Sequence, residues 1–199
     1  GGGHWVAAMF GYTFLFSGMV GATASLAYEK ESGSLKRIIV SPASPWSVLA
    51  GKLISNVAFL TLSQAVLVAV SLLIVKRELF WSLDLVPLIL GGDLVGIGVG
   101  SLVAEVSRRQ REAAEAVSAV AVMLQFLSGL YFPIEMMPEP LATFARLLPF
   151  SAAVESLDVI LLRGASLLEA GWRVGYVWAW ALAATCLAVA LFPRWARYE

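Results

Sequence analysis

Polar and apolar positions along this chain fall into long blocks rather than a short amphipathic period. Five uncharged or nearly uncharged runs stand out: residues 5–27, 53–75, 85–104, 116–134 and 174–193. A bilayer core of about 30 Å needs roughly 20 helical residues at 1.5 Å each, so every run has the length of a transmembrane helix. Lys52 and Lys76 bound the second run, Arg173 and Arg194 bound the fifth, and Asp93 alone interrupts the third. The pattern predicts an all-α integral membrane protein with five spans in a single domain. Its connections are a polar loop at 28–52, a charged loop at 105–115 and a mixed segment at 135–173.

The first loop, YEKESGSLKRIIVSPASPWSVLAGK, is strongly punctuated. Gly33 permits a turn after the first helix runs past the membrane. Ser34 is placed to cap a new helix. Leu35, Ile38 and Ile39 then share one face, with Lys36 and Arg37 turned away. Pro42 ends that helix, and Ser44-Pro45 reads as the N-cap and first-turn proline of the next span. Two readings fit a two-turn amphipathic helix here: a connector lying on the membrane surface, and a docking element for a partner. The punctuation favours docking.

The third run contains GGDLVGIGVGS. Gly92, Gly96 and Gly100 recur every four residues, a small-xxx-small stripe that lets another helix approach closely. The stripe does not say whether that helix belongs to this chain or to a second subunit. Asp93 is costly at a helix centre, so it is expected to face protein or water, either as a polar group in a substrate path or as a hydrogen-bonded packing residue. Gln125 shares the substrate-path reading, and Asn56, Gln64 and Gln125 also suit hydrogen bonds between helices. In the segment after the fourth run, Pro133, Pro138 and Pro140 break the chain. Leu141, Phe144, Ala145 and Leu148 form an apolar face, Pro149 breaks it again, Ser151 is placed to cap, and Gly164 suits a helix end. The two short helices at 140–163 are too short to span. They read as a dip into the membrane, a lid, or an interfacial loop.

Charge adds an orientation. Loops 28–52 and 105–115 and the C-terminus carry nine basic residues, among them Arg108, Arg109, Arg111, Arg194 and Arg197, against five elsewhere (Lys76, Arg77, Arg146, Arg163 and Arg173). The basic side is expected in the cytoplasm, which leaves the N-terminal glycines outside and suggests a further span upstream. The chain does not begin with Met, and its first run lacks the basic flank of a secretory signal. Composition agrees with a membrane protein: 59% hydrophobic, 14% charged, mean hydropathy +0.81. Net charge is zero, so nothing argues for nucleic acid. Cys186, the single cysteine, reads as a small buried hydrophobe, and His4, the single histidine, as a loop residue. Gly51-Lys52 lacks the remainder of a phosphate loop, and no catalytic constellation or Cys/His cluster occurs. The energy for any work is expected to come from another chain.

Two blocks resemble the ABC-2 type permeases, the membrane subunits of one class of ATP-binding-cassette exporters. The first is Glu29-Lys30, Gly33-Ser34-Leu35, Ile38, Ser41-Pro42 and Gly51-Lys52. The second is Ser128-Gly129, Phe132-Pro133, Met137-Pro138 and Leu148-Pro149-Phe150-Ser151. Tyr28 replaces the usual basic residue, and Asp158 stands near a position where the family often has Arg. The resemblance implies a six-helix fold, here lacking its first helix, and a cytoplasmic coupling helix within loop 28–52 that seats in a cleft of a separate ATPase subunit. It implies re-entrant outer helices before the last span.

On that resemblance, Glu29, Glu31, Gly33, Ser34, Leu35, Arg37, Ile38 and Pro42 form the ATPase interface, with Leu35 and Ile38 as its apolar anchors. Phe132, Pro133, Pro138 and Pro149 belong to an outer gate. Two permeases, alike or different, and two ATPases would make the transporter, in a bacterial or archaeal cell membrane. This chain would hold no cofactor, ATP and Mg being bound by the ATPase. Haem- or metal-maturation permeases, and membrane scaffolds pulled by an ATPase, share the build. The resemblance does not name a substrate; multidrug export is one of several cargo classes.

Overall fold

The computed structural model describes residues 2–75 and 80–197. Lys76 and Arg77 lie outside the described residues, as do the side chains of Ile39, Arg194 and Arg197. Among the described residues 81% are helical and there are no strands. The helices are α1 (Gly2–Tyr12), a π-helical segment (Thr13–Val20), α2 (Gly21–Glu31), α3 (Ser34–Ile39), α4 (Pro45–Ile74), α5 (Leu85–Val106), α6 (Gln110–Leu127), α7 (Glu139–Arg146), α8 (Pro149–Arg163) and α9 (Trp172–Arg197). A single 3₁₀ turn covers Ile134–Met136.

Four helical stretches are long and apolar enough to cross a membrane: His4–Glu31 (α1, the π segment and α2 as one rod), Trp46–Ile74, Leu85–Val106 and Trp172–Phe192. The fourth expected span, 116–134, differs. Its helix starts six residues earlier, at Gln110, with Arg111, Glu112 and Glu115 in its first two turns, and it stops at Leu127. Gly129 then takes φ +77° and the chain turns, so the uncharged residues 128–133 belong to a loop and Ile134 to the 3₁₀ turn. The second span begins earlier than 53, at Pro45, because Ser44 adopts the extended N-cap backbone.

The bundle is built around α5. About half of its apolar window and of the first rod is buried, against 17% for α4, which is apolar all round and presents Ile54, Phe59, Leu62 and Leu73 outward. That is how a lipid-facing helix looks. The glycine stripe is used within the chain. A Cβ at Gly96 would lie 2.2 Å from the Phe14 carbonyl oxygen, one at Gly100 2.2 Å from the Met19 carbonyl oxygen, and one at Gly92 2.7 Å from the Phe14 ring. The facing residues sit in the π-helical segment, whose irregular winding turns its carbonyls toward the stripe. Thr23 seals the contact: its hydroxyl donates to the Gly100 carbonyl at 2.7 Å, with the Met19 carbonyl 2.9 Å away.

A second pair of glycines faces α9. Gly98 lies against Ala184, and Gly91 makes room for Trp178, whose indole N–H donates to the Pro87 carbonyl at 3.0 Å. Glycine is disfavoured in a helix by about 1 kcal/mol relative to alanine. Here it admits two backbones that no larger residue would. Cys186, expected inside, is exposed on the outward side of α9.

Gly96→Ala and Gly100→Ala are therefore expected to overpack the core by about 2–3 kcal/mol each and to lower the thermal midpoint of the detergent-purified protein. Gly175→Ala, with nothing within 4 Å of its added methyl, is expected to leave the midpoint unchanged or raise it, as alanine is the better helix former.

Candidate functional site

The strongest concentration of sequence-predicted residues is the turn from α2 into α3. Gly33 takes φ +71°, a left-handed conformation open to glycine at little cost, and it is itself the N-cap of α3. Ser34 is the first helical residue rather than the cap; its hydroxyl pairs with that of Ser32 at 2.9 Å. The helix is one and a half turns long and ends before Pro42, which is exposed.

The three residues that close α2 each reach a different helix. Glu29 forms an ion pair with Lys52 of α4. Lys30 Nζ donates to the Ser107 carbonyl at 3.0 Å, placing a cation at the C-terminal end of α5. The Glu31 carboxylate accepts from the Gln110 backbone N–H at 3.1 Å, placing an anion at the N-terminus of α6. Both helix ends thus receive the charge their dipoles favour. Gly51-Lys52 lies within α4, where Lys52 is committed to this junction.

Leu35 plugs the same junction. It is 4% exposed and packs with Leu26 and Ala27 of α2, Leu49 of α4, Ala104 of α5, Ala113 of α6 and Phe192 of α9. The apolar face of α3 is therefore turned onto its own bundle at Leu35, while Ile38 is half-buried. What α3 presents outward is Lys36, Arg37, Val40 (85% exposed) and Pro42, with Glu31 and Ser32 beside them. Glu105 was not singled out in the sequence, where it begins a charge run. It is buried at the end of α5, next to the junction, with neither carboxylate oxygen hydrogen-bonded.

The remaining candidates occupy other places. Asp93 is fully buried and accepts from Gln64 Nε2 of α4 at 2.6 Å. Gln125 is buried and its Oε1 accepts from the Tyr131 hydroxyl at 3.1 Å, a bond from α6 to the loop that follows it rather than between helices. Phe132 and Pro133 are exposed in the loop before the 3₁₀ turn, Pro138 precedes α7, and Pro149 is buried as the first residue of α8. Leu148, not Ser151, is the N-cap of α8; Ser151 is buried within it, its hydroxyl unpaired. Gly164 closes α8 at φ +64°, as expected. On α7 the buried positions are Ala142 and Ala145, whereas Leu141 and Phe144 point outward.

His4 is not in a loop. It lies in α1, some 27 residues or about 40 Å of helix from the α3 end, and its Nδ1 pairs with Asp158 Oδ2 of α8 at 2.8 Å. Burial raises the Asp158 carboxyl above its usual range, while the hydrogen bond and charge of His4 pull the other way and Glu155 and Glu135 add to the rise. Glu155 in turn accepts from Arg173 Nε at 2.9 Å.

These arrangements can be set beside known proteins. The sequence profile described as ABC-2 family transporter protein matches residues 3–190. The chain belongs to that family. It is 28% identical over 152 residues to the Escherichia coli K12 protein named "Probable multidrug ABC transporter permease YbhR", and equally to its counterpart in strain O157:H7. The aligned region covers 75% of this chain and 41% of each relative, so the chain spans about two-fifths of their length. No solved structure matches it significantly. The permease family and the apolar helices make this a multi-pass membrane protein, and the family is one of transporter membrane subunits.

Two substitutions test the geometry. Leu35→Ala is expected to cost about 2–5 kcal/mol of stability, because it opens a cavity among five helices; Val40→Ala, at an exposed site, is expected to cost less than about 0.5 kcal/mol. Gln64→Leu is expected to destabilise by about 1–3 kcal/mol by stranding the buried Asp93 side chain, and the Gln64→Leu, Asp93→Asn pair to show non-additive coupling in thermal unfolding.

Proposed function

We propose that this chain is the membrane-spanning part of an ABC exporter permease, and that α3 is its coupling helix, docking on a separate ATPase subunit. The observation that carries the reading is the division of labour at the α2–α3 turn. Family membership supports a permease role, and the chain's own sequence offers no phosphate-binding loop to power one. A helix used for coupling needs a rigid base and a free tip. The base is the set of ties from Glu29, Lys30 and Glu31 to α4, α5 and α6, together with the buried Leu35. The tip is Arg37, Val40 and Pro42, a cation beside an exposed apolar side chain, the kind of composition that anchors an interface.

On this reading the roles of the interface residues separate. Arg37, Val40 and Pro42 meet the ATPase, with Ile38 at the edge of the contact. Glu29, Glu31 and Leu35 transmit its movement by holding α3 to the bundle, and Gly33 and Ser34 set the angle at which it leaves α2. When ATP closes two ATPase subunits, α3 is displaced and carries the ends of α2, α4, α5 and α6 with it. A second permease subunit completes the translocation path. The exposed gate residues Phe132, Pro133 and Pro138 and the buried Pro149 flank the exit at the far end, with Asp93 and Gln125 as polar groups along the way. Multidrug export, the description attached to the Escherichia coli relatives, is the cargo class this reading adopts.

The test uses exposed positions, so that loss of docking is not confused with loss of fold. Arg37→Glu with Val40→Asp is expected to reduce ATPase co-purification by tenfold or more at an unchanged thermal midpoint, which is the effect of about 1.4 kcal/mol or more at an interface anchor. Wild-type co-purification and transport in that double variant would refute α3 as the docking element.

A further inference from the structure

At the end of the bundle remote from α3, two open cavities share a wall made by Glu135, Glu155 and Asp158. The wider one, about 510 Å³, is ringed by Arg146, Arg163 and Arg173 with Trp172. The smaller, about 160 Å³, lies between α1, the turn at 128–135 and α8, and among the described residues it is lined by no basic side chain other than His4. Arginines thus flank only the wider cavity, the vestibule, while the three acids line both it and the smaller chamber.

The acids of the chamber are not equally committed. Glu155 is held by Arg173, and Asp158 Oδ2 is held by His4. Asp158 Oδ1 is buried with no hydrogen-bond partner. His4 Nε2 is also buried and unpaired. A separate observation concerns Ser128. Ser128 is among the residues around the chamber, it is 1% exposed, and its hydroxyl has no partner. Buried polar groups are normally satisfied, and each exception calls for a reason. Two unpaired oxygens, Asp158 Oδ1 and the Ser128 hydroxyl, with a further carboxylate from Glu135, suit a ligand that donates several hydrogen bonds and carries positive charge.

The lining does not favour an anion, since among the described residues every arginine here lines only the vestibule. Nor does the donor set suit a metal ion: among the described residues no three His, Cys, Asp or Glu side chains stand close enough to hold one. Acceptors spread too widely for a bare ion are within reach of an ammonium group, whose N–H bonds point in different directions. Water occupies about 30 Å³ per molecule in the liquid, so a chamber of about 160 Å³ has room for an ammonium head and a short alkyl stem.

We propose that this chamber is a binding site for a protonated amine, seated on Asp158 Oδ1, the Ser128 hydroxyl and the Glu135 carboxylate. What the site is for, the recognition of a cationic cargo near the exit, rests on the export reading. The binding itself needs neither ATP nor a partner, so the two stand or fall separately.

The experiment is calorimetric titration of the full-length protein in lipid nanodiscs with n-butylammonium chloride. Its neutral analogue n-butanol serves as a shape control, and magnesium and zinc chlorides test the metal alternative. Saturable binding of butylammonium without comparable binding of butanol is expected. Glu135→Gln and Ser128→Ala are each expected to weaken it by about tenfold, the effect of losing one charge-assisted hydrogen bond. Neither variant is expected to shift the thermal midpoint, because Glu135 is exposed and Ser128 makes no side-chain hydrogen bond. Asp158→Asn is expected to weaken binding further, but it also touches the tie between α1 and α8. Equal binding of butanol, saturation by a divalent metal in place of the amine, or unchanged affinity in both Glu135→Gln and Ser128→Ala would overturn the proposal.

Discussion

The junction beneath α3 is the constraint on which the functional reading depends. Three consecutive side chains, Glu29, Lys30 and Glu31, hold three different partners: a lysine of α4, the carbonyl end of α5 and the amide end of α6. Leu35 fills the space between them. A partly exposed ion pair on its own is worth little. Several ties converging on one turn, around a buried leucine, leave α3 few ways to move without moving the helices it rests on. A six-residue helix has negligible stability of its own, so its orientation comes from this base.

The rest of the bundle supplies the stiffness such a junction needs. The first rod and α5 meet backbone to backbone at Gly96 and Gly100, and α5 meets α9 closely at Gly98. Contacts this close resist sliding, because the next larger side chain does not fit. The rod runs from the junction to His4 without a break, and at that end it is fastened to α8 through Asp158. The same rod therefore links the α3 end to the two-cavity region near α7 and α8. The irregular π-helical winding lies midway along it, where it serves the glycine contact.

Much of this was legible in the sequence. The long apolar runs marked four of the spans, two of them bounded by Lys and Arg, and the Gly33, Ser44-Pro45, Pro149 and Gly164 punctuation marked element ends to within a residue or two. The run 116–134 misled because absence of charge does not distinguish a helix from an apolar loop. Gly129 with positive φ, followed by Pro133, ends the helix seven residues before Ile134. The glycine stripe announced a close contact, but period alone does not name the partner, which proved to be the chain's own first rod. Leu35 shows the same limit: an apolar face at i, i+3, i+4 says that something covers it, not whether the cover is internal. His4 and Asp158, 154 positions apart, and the buried Glu105 have no local signal, since only tertiary packing brings or hides them.

The central claim is that α3 moves as one body with the base it is tied to. It is tested most directly by spin-label distances in the ATPase complex, with and without trapped ATP, on a Cys186→Ser background. Labels at Val40 and Val106, both exposed at the α3 end, are expected to keep their separation, while labels at Val40 and Leu168, at opposite ends of the bundle, change theirs. A change between Val40 and Val106 of about 5 Å, one helical turn, with Val40 to Leu168 unchanged, would contradict the account, because α3 would then be swinging on Gly33 alone.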